Sequence, residues 1–86
     1  MIRIEISEGR NLVTLALSGR IQAEDLSELK RIIESYSKPV VLDLTAVKIV
    51  DRETITFLAN FETHNATITN CPPYIHEWIH RERAQR

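Results

Sequence analysis

The stretch from Pro39 to Asn65 constrains the fold most, because strand, turn and helix signals follow one another there without a gap. Val40-Val41-Leu42-Asp43-Leu44 is an almost unbroken apolar run, which predicts a buried strand. A short loop is expected from Thr45 to Val50, ending at Asp51, a residue type that caps helices by accepting hydrogen bonds from the first-turn amides. Ile55, Leu58 and Ala59, with Phe57 and Phe61 nearby, then predict an amphipathic helix from about Arg52 to His64. A strand, a loop and a helix N-terminus in that order leave backbone N–H groups pointing outward, where a partner or an anion can dock.

The rest of the chain supplies the elements that this unit packs against. Ile2, Ile4 and Ile6 alternate with Arg3, Glu5 and Ser7, and Val13, Leu15 and Leu17 alternate with Thr14, Ala16 and Ser18. Period two marks two half-buried strands, joined as a hairpin through a turn at Glu8, Gly9 and Arg10 and ended by Gly19-Arg20. From Ala23 to Ser37 the period changes: Leu26, Leu29, Ile33 and Tyr36 fall three or four apart, with Ile32 alongside. Lys38-Pro39 stops that helix, since the residue before proline is pushed out of the helical region. Ala66 to Asn70 forms a short last strand, and Pro72-Pro73 opens a third helix with Ile75, Trp78 and Ile79 inward.

The predicted order is β-β-α-β-α-β-α. Strands separated by single helices run parallel through right-handed crossovers, while the first two pair antiparallel. Polar residues on one face of both hairpin strands imply that helices cover only the other face. The expected architecture is α/β: a two-layer sandwich with a mixed four-stranded sheet and helices on one face, one domain over residues 1–86. Its predicted core holds Ile4, Leu15, Leu42, Leu44, Leu58, Ile75 and Trp78.

Composition narrows the function classes. Eighty-six residues make one small domain, and a formal net charge of −1 gives no general attraction to nucleic acid or anionic membrane. His76, His80, Arg81, Arg83 and Arg86 form a local basic cluster, but Glu77 and Glu82 dilute it. Cys71 is the only cysteine, so no intrachain disulfide can form, as suits a reducing compartment. The first residues lack a signal-peptide core, and no apolar run approaches the 18 or so residues of a membrane span. A cytoplasmic location is expected.

With these elements placed, the run from Val40 to Asn60 resembles the signature of the STAS family (sulfate transporter and anti-sigma factor antagonist domains), and the likeness extends at pattern level from about Val13 to Arg81. In phospho-switched members of that family a serine follows the aspartate that Asp51 matches. This chain has Arg52 there, then Glu53 and Thr54 where the family usually has another small residue and a glycine. The resemblance implies the STAS fold and a non-catalytic protein-interaction module similar to anti-sigma factor antagonists. Its implied partner is an anti-sigma factor or serine-kinase-like regulator, with a homodimer as a further expectation. Asp51, Arg52, Glu53 and Thr54 are the candidate partner-binding residues, and kinase control at Arg52 is expected to be lost. Thr54 is a weak replacement phospho-acceptor, because the third helical position turns it partly inward. The alternative is a small-ligand or nucleotide-binding STAS domain regulating a transporter, although no phosphate-binding glycine loop supports it.

Other constellations have plain structural explanations. His76-Glu77-Trp78-Ile79-His80 is a literal H-E-x-x-H on a predicted helix, the arrangement with which zinc metalloproteases hold metal and activate water. Only six residues follow His80, leaving no place for a third ligand, and both histidines and Glu77 are expected to face solvent opposite Ile75, Trp78 and Ile79. The motif is read as chance; no metal, cofactor or catalytic residue is expected. His64 is placed to cap the second helix, Cys71 reads as a small buried hydrophobe, and Asp43 reads as a solvated acid on the open sheet face.

Overall fold

A computed structural model describes residues 2–62 and 66–84. The hairpin strands are β1 (Ile2–Glu8) and β2 (Val13–Ile21), followed by helix α1 (Ala23–Glu34), strand β3 (Val40–Val50), helix α2 (Arg52–Phe61), strand β4 (Ala66–Thr69) and helix α3 (Pro73–Ala84). The strands lie in the order β1-β2-β3-β4. β1 and β2 are antiparallel, with Ile4 opposite Leu17, whereas β2–β3 and β3–β4 are parallel, with Leu15 opposite Leu42 and Leu42 opposite Ile68. The predicted two-layer α/β architecture is therefore the observed one.

Only one sheet face is covered. Val13, Leu15, Leu17 and Ile21 of β2 and Val40, Leu42, Leu44, Val47 and Val50 of β3 are buried in one cluster with Leu26, Leu29, Ile55, Leu58, Phe61, Ile75 and Ile79 of the helices. On the opposite face Thr14, Ala16 and Ser18 are half-buried and Thr45 is exposed.

β3 corrects the expected loop from Thr45 to Val50, which is strand throughout. Ala16 pairs with Asp43 but Ser18 with Ala46, and Gly19 pairs with Val47 but Arg20 with Ile49. At each step β3 advances one residue further than β2, so two bulges lie in β3. Each bulge lengthens the inward repeat from two residues to three, giving burial at Leu44, Val47 and Val50. A period-two search fails on such a strand, although the chain never leaves the sheet.

The core also departs from expectation at its rim. Ile4 and Trp78 are half-buried against the core rather than inside it, and Ile6 is 48% exposed. β1 is an edge strand, so its alternating isoleucines outrun the helical layer that covers β2 and β3. α1 stops at Glu34 with Ser35 as its C-cap, short of the predicted Ser37. α2 ends at Phe61, and His64, the expected cap, lies outside the described residues. Among the described residues no helix is long and apolar enough to cross a membrane.

Candidate functional site

The second bulge delivers the chain from Val50 directly into Asp51, which adopts extended backbone angles (φ −99°, ψ 177°) and starts α2. One carboxylate oxygen of Asp51 accepts from the Thr54 amide at 2.9 Å and lies 2.6 Å from the Thr54 hydroxyl. Its other oxygen accepts from the Ala23 amide, the first residue of α1, at 2.8 Å. A single carboxylate thus ties together the N-termini of two helices, with Asp51 reaching back 28 positions in sequence to Ala23. Burial by itself would raise the Asp51 pKa, but the bonds from Thr54 and Ala23 outweigh it and hold the carboxyl below its ordinary value. Asp51 was legible as a cap; its hold on α1 was not, because only the parallel pairing of β2 with β3, with Ile21 opposite Val50, brings Ala23 near.

Thr54 is fully buried, with its hydroxyl 3.2 Å from the Ile21 carbonyl as well as against Asp51. The inward turn expected for it is complete. A hydroxyl enclosed in this way is not accessible to a kinase without local opening of α2.

The four candidate partner-binding residues therefore do not form one displayed patch. Asp51 is half-buried and engaged, Thr54 is buried, and Arg52 and Glu53 are exposed but diverge. Arg52 borders a cleft of about 260 Å³ with Trp78, Arg81 and Glu82 of α3. Glu53 borders a larger groove of about 830 Å³ between α1 and α2, with Leu26, Lys30, Ile33, Phe57 and Phe61 among its walls. Lys30 reaches over the Phe57 ring at 5.6 Å from the ring centre, a cation–π distance.

His76, Glu77 and His80 are exposed, as expected. His76 and His80 border a depression that also contains Cys71, Glu62 and Arg83, whereas Glu77 is absent from it. Among the described residues no group of three or more histidine, cysteine or acidic side chains is arranged to hold a metal ion. Cys71 is half-buried, and burial first, then the negative charge of Glu62, raises its pKa. That environment suppresses the thiolate.

Asp43 does more than a solvated acid. It accepts from the Thr45 amide at 3.0 Å, the Thr45 hydroxyl at 2.5 Å and the Asn70 amide group at 3.3 Å. The Thr45 side-chain and backbone bonds lower its pKa. Sequence reading also missed Arg83, which bonds the Ala59 carbonyl at 3.2 Å and Glu62 at 3.0 Å and so fastens α3 to the end of α2. An arginine in a run of charges carries no signal for such a contact.

The topology and the single covered face define an α/β fold of the SpoIIAA-like kind. A solved structure with that fold, an uncharacterized protein of the DUF3478 family from Shewanella loihica PV-4, superposes with a TM-score of 0.50 over 98% of this chain and 77% of that chain. The two are 15% identical, so the likeness is one of fold. No protein-family model matches the chain, and no curated protein does.

Proposed function

We propose that this protein is a non-catalytic interaction module of the anti-sigma factor antagonist kind, working in the cytoplasm, with Arg52 in the place of the phospho-acceptor serine. The observation that carries the proposal is the α2 N-terminus: Asp51 fixes the turn from inside, while Arg52 stands exposed on the helix's first residue. The SpoIIAA-like fold supports it. The enclosed Thr54 hydroxyl supports the further point that phosphorylation does not switch this turn. The partner is a protein such as an anti-sigma factor or a serine-kinase-like regulator.

Affinity capture from native extract, followed by titration of the captured protein with wild type, Arg52→Ser and Arg52→Glu, tests the proposal. Arg52→Glu is expected to weaken binding by at least about tenfold, roughly 1.4 kcal/mol, without lowering Tm. Equal affinities for all three chains would remove Arg52 from the interface.

A second reading, a small-ligand domain, is favoured by the α1–α2 groove, whose size falls in the usual range of ligand sites and whose walls are largely apolar. A nucleotide or other small ligand seated there would raise Tm in proportion to its saturation, and Phe57→Ala would abolish the rise. No rise with a panel of nucleotides would leave the interaction module as the better account.

A further inference from the structure

We infer that the cleft between the first turn of α2 and α3 binds an acidic, partly apolar segment of a protein partner, with carboxylates held by Arg52 and Arg81 beside Trp78. The inference rests on the proposed interaction role and gives the docking face and the partner's chemistry. Arg52 opens α2, and Arg81 lies three residues beyond Trp78 on α3; all three border the same cleft. Tyr74 precedes Trp78 by four residues, so Tyr74, Trp78 and Arg81 share one stripe of the helix.

Charge sets the sign of the occupant. Among the described residues the ion pairs are Arg3–Glu5, Lys38–Glu8 and Arg83–Glu62, and neither Arg52 nor Arg81 takes part in one. Glu82 is the cleft's single acid against two guanidiniums. Asp51 caps the α2 N-terminus from inside, on the Thr54 and Ala23 amides, and Glu53 borders the α1–α2 groove, so neither first-turn acid lines this cleft. A cation at a helix N-terminus is electrostatically unfavourable in the free protein, and an incoming anion reverses that. Guanidinium groups match carboxylates through paired parallel hydrogen bonds.

The surroundings set the rest. Tyr74 is 49% exposed and Ile49 of β3 is 52% exposed. The Tyr74 hydroxyl donates to the carbonyl of Lys48, which ties the start of α3 to the end of β3. An exposed Tyr, a half-buried Trp and arginines that enter no ion pair among the described residues match the composition of protein-binding centres. A net charge of −1 gives no general attraction to a nucleic-acid backbone.

Trp78 is the only tryptophan, so its emission reports directly on the cleft. The test titrates the whole chain with a short synthetic peptide of alternating glutamate and leucine, and with a lysine–leucine peptide of equal length. The glutamate peptide is expected to shift Trp78 emission saturably, more weakly at physiological than at low salt. The double variant Arg52→Gln, Arg81→Gln should weaken it by at least about tenfold. Arg10→Gln with Arg31→Gln, exposed arginines that do not line the cleft, should leave it unchanged. No emission change, an equal response to the lysine peptide, an equal response to inorganic phosphate alone, or equal loss in the Arg10/Arg31 variant would overturn the inference. So would an emission change with protein concentration alone, which would assign the cleft to a second copy of the chain. If the peptide fails while a captured partner still senses Arg52→Glu, the interaction role stands and the acidic chemistry falls. If the peptide binds and no partner senses Arg52→Glu, the reverse holds.

Discussion

Replacing Asp51 is the sharpest test of how this small domain holds its helices. In Asp51→Ala the Thr54 amide loses its cap, a change that typically costs about 0.5–2 kcal/mol. The Ala23 amide loses a charged acceptor as well, where such bonds contribute about 1.5–3 kcal/mol and less when part-exposed as here. The Thr54 hydroxyl keeps the Ile21 carbonyl at 3.2 Å, so no buried donor is orphaned and no further penalty is added. The expected loss is about 2–4 kcal/mol, against roughly 4–13 kcal/mol for the whole stability of a domain this size. In thermal unfolding followed by circular dichroism, that corresponds to a fall in Tm of about 10–25 °C. Asp51→Asn separates the two bonds: an amide oxygen can still cap Thr54, but the amide nitrogen cannot accept from Ala23. It should lose only about half as much. The folded-state carboxyl has a lowered pKa, so its contribution is complete above the unfolded value of about 3.9 and disappears as pH falls through the folded value. The gap between wild type and Asp51→Asn should therefore be constant near neutrality and close below about pH 4. A loss under about 0.5 kcal/mol for Asp51→Ala, or a gap that widens in acid, would refute the two-helix tie.

Other outcomes follow from the same geometry. Arg52→Ser should leave stability unchanged or raise it by about 0.3–1 kcal/mol, since it removes a cation from a helix N-terminus; chemical denaturation gives the sign. Thr54 should carry no phosphate in protein isolated from its native cell, and phosphothreonine there by mass spectrometry would contradict its enclosure between Asp51 and Ile21. Purified protein should retain no stoichiometric zinc and cleave no peptide; tight zinc lost on His76→Ala or His80→Ala would contradict the exposed, incomplete ligand set. Cys71 should react with a thiol reagent at neutral pH more slowly than a free peptide thiol, because burial and Glu62 both raise its pKa.

The sequence alone determined the element order, the mixed sheet and its one covered face, because period-two and period-3.6 burial are imposed by local geometry wherever a strand or helix meets a core. It also marked Asp51 as a helix start and Thr54 as inward, since both follow from position relative to that start. The tertiary structure decided what depends on register and on contacts between distant segments. Two bulges carried β3 through Thr45–Val50 while changing its inward repeat, a shift set by pairing with β2 rather than by the residues themselves. The edge position of β1 left Ile6 exposed despite perfect alternation. The packing of α2 between its neighbours parted Arg52 from Glu53, sending one toward Trp78 and Arg81 and the other toward Phe57. Adjacent residues on a helix lie about 100° apart, so a charged triplet read as one surface in the sequence becomes separate surfaces once helices stand on either side.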